Sequence, residues 1–201
     1  MKIIGVGCGP GMLTLEAIQA LRTADLVYGS DRALDLAAGY LPKTCESHII
    51  EDYKGLRQLP SHAIILSTGD PMLAGLGYLE GDVIPGISSL QIVSARLHVP
   101  LTRISVITAH GTDHKKAIRE AVDEIERGKV AFILADPEFS LQDLARTAQD
   151  AGLNADLAVC EDLGYPTERI AIGTLQEVPK IQSPKLYVVL AGTFATTKKS
   201  S

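Results

Sequence analysis

Tryptophan is missing from these 201 residues, and aromatic side chains make up only 4% of them, six tyrosines and three phenylalanines. Platforms that stack single-stranded bases need aromatic faces, so this scarcity disfavours such a binder. Positive charge is also short. Nineteen Lys and Arg against 24 Asp and Glu leave a net charge of -5, which argues against a general nucleic-acid or anionic-membrane surface. Net charge of this size does not exclude a local basic pocket for an anionic ligand. The three cysteines, Cys8, Cys45 and Cys160, are far apart and show neither CxxC nor Cys/His metal spacing, so reduced thiols and no metal site are expected. No stretch approaches the roughly 18 uninterrupted apolar residues of a membrane helix. Met1-Lys2 leads straight into Ile3-Ile4-Gly5 without a cleavable leader. A soluble cytoplasmic protein is the expectation.

What is present is core-forming material. With 46% hydrophobic and 21% charged residues, the chain suits one large domain or two small lobes. Apolar runs at Lys2 to Val6, Leu26 to Tyr28, Ala63 to Ser67 and Asp82 to Ile84 read as strands. So do Ile104 to Thr108, Val130 to Ala135, Leu157 to Cys160, Ile170 to Ile172 and Leu186 to Leu190. Helical spacing appears over Leu13 to Ala24, after Ser30 as a cap, over Leu90 to Leu97, from a cap at Asp113 to a stop at Gly128, and over Leu141 to Ala151. The alternation predicts an α/β fold with a mostly parallel N-terminal sheet. The last three strands have no long helix between them, which predicts a mixed sheet in the C-terminal lobe. The polar turn at His110 places the expected lobe boundary there, giving lobes 1–109 and 110–201. The Lys198-Lys199-Ser200-Ser201 tail is expected to fray.

Three loops follow apolar strands and are built from glycine, proline and small hydroxyl residues: GVGCGPG at 5–11, STGDP at 67–71 and PGISS at 85–89. In open α/β sheets ligands sit beyond the carboxyl ends of the strands, so three such loops can share one crevice. The first loop is not a dinucleotide fingerprint. Counted from Gly5, the last required glycine falls on Pro10, and from Gly7 it falls on Met12. No phosphate-binding P-loop occurs, and Pro10 lacks the N–H a phosphate would use. The loop is therefore shaped for close backbone approach to something uncharged or bulky. Asp70 before Pro71 can be a turn former, Ser88 and Ser89 can be helix caps, and Leu134 in an apolar strand can be core. Cys8 reads as a small buried thiol. His110 and His114 are four apart but lack the glutamate of a zinc helix, so no metal is expected.

The stretch GVGCGPGMLTLEAIQALRTADLVYGSDRAL resembles the N-terminal signature of the tetrapyrrole methylases, Val-Gly-x-Gly-Pro-Gly, Leu-Thr, Ala-Asp-x-Val and Gly-x-x-Arg. LSTGDPMLAGLG is similar to that family's second loop and VIPGISSLQIVSARLHVPL to its third. ITAHGT, VAFILADP and CEDLGYPTERIAIGTL resemble later segments, so the likeness covers residues 2 to 191. One departure stands out. Family members commonly carry Gly-Pro-Gly-Asp and several residues before Leu-Thr, whereas Gly11 here runs directly into Met12-Leu13-Thr14.

The resemblance implies a two-lobed methyltransferase that binds S-adenosyl-L-methionine in a cleft between the lobes and releases S-adenosyl-L-homocysteine. It implies a corrin-type tetrapyrrole substrate and no catalytic side chain, because alignment and water exclusion suffice for methyl transfer. Carried over by motif, Pro10 lines the methyl-transfer side. Thr68, Gly69, Asp70 and Leu73 run along the methionine and ribose portion. Ser88 and Ser89 hold the carboxylate, and Leu134 and Leu163 flank adenine. A polycarboxylate substrate calls for cationic or donor groups, for which His110 and Arg32 are the leading candidates among Lys54, Arg103 and Lys115. A homodimer is implied as well. Within the family, GDPMLAGLG, IPGISSLQ, the His110-Gly111 pair and ERIAIGTL look most like members that methylate C5 of cobalt-precorrin-7, or precorrin-6Y in the aerobic route. The chain stops near residue 201 without the decarboxylating domain often fused to aerobic relatives. That favours the anaerobic pathway and hand-over to a separate decarboxylating C15-methyltransferase. Alternatives are methylation of another ring position or a protein side chain, or a non-catalytic nucleotide-binding regulatory module.

Overall fold

Continuous burial along the apolar runs 3–5 and 64–67 sets up a sheet covered on both faces. The computed structural model describes residues 1–182 and 187–194. Within it, β1 (Lys2–Gly5), β2 (Leu26–Gly29), β3 (Glu46–Ile49), β4 (Ile64–Ser67) and β5 (Asp82–Ile84) form a sheet in the order β3-β2-β4-β1-β5. Every pairing in it is parallel. Ile4, Ile64 and Leu66 pack against α1 (Leu15–Leu21) and α2 (Asp31–Ala37) through Ala17, Leu21, Ala33 and Ala37. Ile3 and Ile65 point the other way and pack with Leu56, Leu76 and Leu79. This two-sided burial is what a parallel sheet requires, and it explains the continuous apolar runs of β1 and β4.

Local caps fix the helices. Thr14 Oγ1 accepts from the Ala17 N–H at 3.1 Å, and Ser30 Oγ accepts from the Ala33 N–H at 3.3 Å. α3 (Ser89–Leu97) follows β5.

The second sheet joins β6 (Ile104–Thr108), β7 (Val130–Leu134), β8 (Asp156–Glu161), β9 (Arg169–Thr174) and β10 (Tyr187–Gly192) in the order β6-β7-β10-β8-β9. β6 and β7 are parallel, and β10 runs antiparallel to both β7 and β8, as does β9 to β8. The sheet is mixed, as the missing helices between the last strands predict. One face is covered by α4 (His114–Glu126) and α5 (Leu141–Asp150), through Ile118, Val122, Ile125 and Leu144. Each such side chain contributes about 1.5–3 kcal/mol by leaving water. Asp113 Oδ1 caps α4 from the Lys115 and Lys116 N–H groups, at 2.9 and 3.3 Å. No helix among the described residues is long and apolar enough to cross a membrane.

The chain divides into two compact units, Met1–Ser89 and Leu90–Ser201. Sequence reading places the boundary at 109/110 instead. The difference has a simple cause: β6 pairs with β7 from Ile104 to Thr108, which draws the segment ahead of the His110 turn into the second unit. Leu186, expected in the last strand, and the 198–201 tail lie outside the described residues.

Candidate functional site

Because β1 lies between β4 and β5 and all three run the same way, the three glycine loops leave one edge of the first sheet side by side. Their backbones touch at three glycines. A Cβ on Gly5 would lie 2.5 Å from the Gly86 nitrogen and 2.7 Å from the Gly69 oxygen. One on Gly86 would lie 2.1 Å from that same oxygen. Gly7 and Gly69 exchange backbone hydrogen bonds, with the Gly69 N–H on the Gly7 oxygen at 2.8 Å and the reverse at 3.3 Å. Both hold positive φ, +80° and +73°, which glycine adopts without strain.

Asp70 fastens the second loop to the third. Its Oδ2 accepts from the Gly86 N–H at 3.0 Å, and its Oδ1 accepts from the N–H groups of Met72 at 2.9 Å and Leu73 at 3.3 Å. The carboxylate that sequence reading assigns to the cofactor is thus taken up by three backbone donors, and its visible work is building the loop. Thr68 is half-buried just before it, and Leu73 is half-buried just after. Ser88 is buried at the end of the third loop, and Ser89 opens α3.

Pro10 is exposed at the tip of the first loop. The base of that loop is tied to α2, because Arg32 Nη2 donates to the Cys8 carbonyl at 3.1 Å. Arg32 is half-buried there, so at least one of its donors serves the loop. Burial pushes the Cys8 thiol up to about 12, with the Arg32 guanidinium pulling weakly the other way. A thiol so far from ionisation is a packing group.

In the second unit, β6, β7 and β8 share a direction, so the loops carrying His110, Leu134 and Leu163 leave one edge of that sheet. His110 is exposed, Leu134 is half-buried at the last position of β7, and Leu163 is buried after β8. Two organising carboxylates in these loops carry no motif that announces them. Asp136 Oδ2 meets His114 Nε2 at 3.0 Å and accepts from the Gly111 N–H at 3.2 Å, while Oδ1 accepts from the Glu138 N–H at 3.0 Å. Burial raises this carboxyl, but the His114, Gly111 and Glu138 hydrogen bonds outweigh it and hold the group below its ordinary value. Glu168 accepts from Arg96 Nε at 2.6 Å and from the Gly164 N–H at 2.8 Å, which anchors the turn next to Leu163. His114, four residues from His110, is therefore held by Asp136 and by an edge contact to Phe139.

The model of the tetrapyrrole (corrin/porphyrin) methylases matches residues 2–179. A probable cobalt-precorrin-7 C(5)-methyltransferase of Methanocaldococcus jannaschii is 36% identical over 194 residues, covering 86% of this chain and 89% of that protein. A precorrin-6Y C(5,15)-methyltransferase (decarboxylating) of a Sinorhizobium species is 24% identical, and the match spans 85% of this chain and 44% of that longer protein. Among solved structures, a precorrin-6Y methylase of Archaeoglobus fulgidus superposes with a TM-score of 0.76 at 26% identity, over 96% of this chain and 97% of that one.

Proposed function

This chain belongs to the tetrapyrrole (corrin/porphyrin) methylase family, and we propose that it methylates C5 of cobalt-precorrin-7 with S-adenosyl-L-methionine as donor. The observation that carries the donor site is the contact of Gly5, Gly69 and Gly86, which aligns three loops without a cationic side chain at one sheet edge. The residues fit a sulfonium nucleoside. None of the loops 5–11, 67–71 and 85–89 contains a lysine or arginine to repel the positive sulfur, and their donors are hydroxyls and backbone N–H groups. When bound, the cofactor supplies an electrophilic methyl carbon on a good leaving group.

The chain's own residues position and desolvate. Ser88 and Ser89 stand where α3 begins, and helix N-terminal N–H groups there suit a carboxylate. Thr68, Gly69 and Leu73 offer the methionine and ribose portion a short, neutral wall, and Asp70 keeps that wall against Gly86. Pro10 presents a ring without an N–H on the methyl side. Leu134 and Leu163 of the second unit are the adenine contacts in this reading, and His110 serves the substrate carboxylates. Arg32 acts on the first loop through Cys8.

The C5 assignment rests on the 36% identity to the named archaeal relative. A homodimer in the cytoplasm, passing its product to a decarboxylating C15-methyltransferase, completes the reading. Incubation of cobalt-precorrin-7 with the protein and methyl-labelled cofactor, followed by mass spectrometry and carbon NMR, tests it. One label at C5 supports the proposal, and a label elsewhere or none refutes it. Calorimetry with S-adenosylhomocysteine against ATP and GTP separates the enzyme from a nucleotide-binding module.

A further inference from the structure

β8 and β9 are antiparallel neighbours whose last pair is Glu161 with Arg169, and a far shorter hairpin than 162–168 would join them. This connection carries Leu163, and it is fixed along its length. Asp162 holds a left-handed φ of +48°, which a residue other than glycine keeps only where its surroundings enforce it. The Asp162 carbonyl accepts from the Tyr165 N–H at 3.0 Å, and the Tyr165 carbonyl accepts from the Glu168 N–H at 2.9 Å. Thr167 Oγ1 donates to Asp162 Oδ2 at 3.2 Å.

The two charged residues that open the ERIAIGTL segment make separate attachments. Arg169 Nη1 donates to the buried Glu161 carboxylate and to the Lys180 carbonyl, the latter at 3.1 Å. Glu168 takes a third element. Arg96, in the last turn of α3, forks onto it, with Nε on Oε1 at 2.6 Å and Nη2 on Oε2 at 3.4 Å. The Gly164 N–H donates to the same Oε2 at 2.8 Å. An exposed ion pair contributes little by itself, but the Glu168 side chain is only 19% exposed. Burial raises its carboxyl, and the Arg96 fork and the Gly164 N–H outweigh that and hold it below its ordinary value. The charged carboxylate can therefore hold a guanidinium and a backbone donor at once.

We propose that Glu168 and Arg96 are positioning residues for the nucleoside end of S-adenosyl-L-methionine: by fixing Gly164 they hold the Leu163 turn in the conformation that receives the base. A turn strained at Asp162 and held by a third element is preorganised, so it loses less freedom when a ligand binds. The inference rests on the reading of Leu163 as an adenine contact and adds to it two residues that act through the turn. Glu168→Gln tests the carboxylate at nearly constant shape. One amide oxygen can serve Gly164 or Arg96 but not both, and the NH2 would then face a donor.

Calorimetric titration with S-adenosylhomocysteine reads the effect without turnover. Glu168→Gln and Arg96→Gln should each weaken binding about tenfold. Arg96→Lys, which keeps the charge but not the fork, should recover part of the loss. Hydrogen exchange of the 161–169 amides should quicken in Glu168→Gln. In turnover, the KM for S-adenosyl-L-methionine should rise about tenfold while kcat stays within about threefold. Unchanged S-adenosylhomocysteine affinity in both Gln variants overturns the positioning role. So does a loss of kcat as large as the loss of affinity, accompanied by a lower melting temperature, which would make the pair mere scaffold. Wild-type protein that binds no S-adenosylhomocysteine overturns this inference and the donor-site reading together. Binding that depends on Glu168, in a protein that places no methyl on C5 of cobalt-precorrin-7, refutes the C5 reading and leaves the positioning role standing.

Discussion

Gly86 approaches Gly69 so closely that a single added methyl would collide with backbone, 2.1 Å from the Gly69 oxygen. The neighbour cannot swing aside as a flexible side chain would. Gly86→Ala is therefore expected to separate the second and third loops. Overpacking of this kind costs about 1–3 kcal/mol. For a chain of this size the upper figure lowers the melting temperature by about 6–12 °C. Scanning calorimetry reads the stability, and titration with S-adenosylhomocysteine reads the loops. A variant that melts and binds like wild type would show that the three backbones do not need this contact.

Asp70 separates loop building from ligand contact. Its bond to the Gly86 N–H needs an acceptor at Oδ2, which an amide NH2 cannot provide if the other oxygen keeps Met72 and Leu73. Hydrogen bonds to a charged acceptor contribute about 1.5–3 kcal/mol each. Asp70→Asn should lower S-adenosylhomocysteine affinity about tenfold, which corresponds to about 1.4 kcal/mol, and should reduce the melting temperature as well. Loss of affinity with undiminished stability would instead mean that the carboxylate touches the ligand.

These two residues mark what a sequence can reveal. The caps at Ser30 and Asp113 are legible because donor and acceptor lie within three residues, whereas the first helix, expected from Leu13, starts only at Leu15 behind the Thr14 cap. The three loops are legible as compositions, and their meeting at one edge follows from strand order. The Asp70–Gly86 bond spans 16 residues and the Asp136–His114 pair 22, and no local pattern encodes either. β3 escapes notice because Glu46, Ser47, His48 and Ile49 are all exposed on an edge strand, so neither apolar run nor alternation betrays it. The His110-Gly111-Thr112-Asp113 turn resembles a linker for the same compositional reason, although β6 before it is already bound to β7.

Asp136 gives an acid-stability prediction. Its carboxyl is held below the ordinary value of about 3.9 in the folded chain, so the folded state binds its proton less readily than the unfolded one. The stabilisation is fully present above about pH 4 and is lost as pH falls toward the lower folded value. Asp136→Asn should flatten this part of the acid limb and free the Gly111 turn. Urea melts at pH 6, 4 and 3 provide the check: the gap between wild type and variant should shrink with falling pH. A gap that is constant over this range would show that the carboxylate's charge is not what holds Gly111 and His114.

The three thiols are expected to differ in reactivity for a reason visible in their surroundings. Burial pushes Cys8 and Cys160 up to about 12, the latter helped by Glu168 and Glu161, so almost no thiolate exists at pH 8. Cys45 is also raised by burial and by Asp25 and Glu46, but it is half-buried rather than enclosed. Iodoacetamide at pH 8 should therefore label Cys45 in the folded protein, more slowly than a free thiol, and all three cysteines in guanidinium. Cys8 packs near Gly69 and lends its carbonyl to Arg32 while its sulfur does no chemistry. Cys8→Ala should accordingly keep kcat within about twofold, since replacing a buried thiol leaves the backbone acceptor in place. Rapid labelling of Cys8 in the native protein, or a hundredfold loss of kcat in Cys8→Ala, would place a reactive sulfur in the first glycine loop and contradict its role as packing.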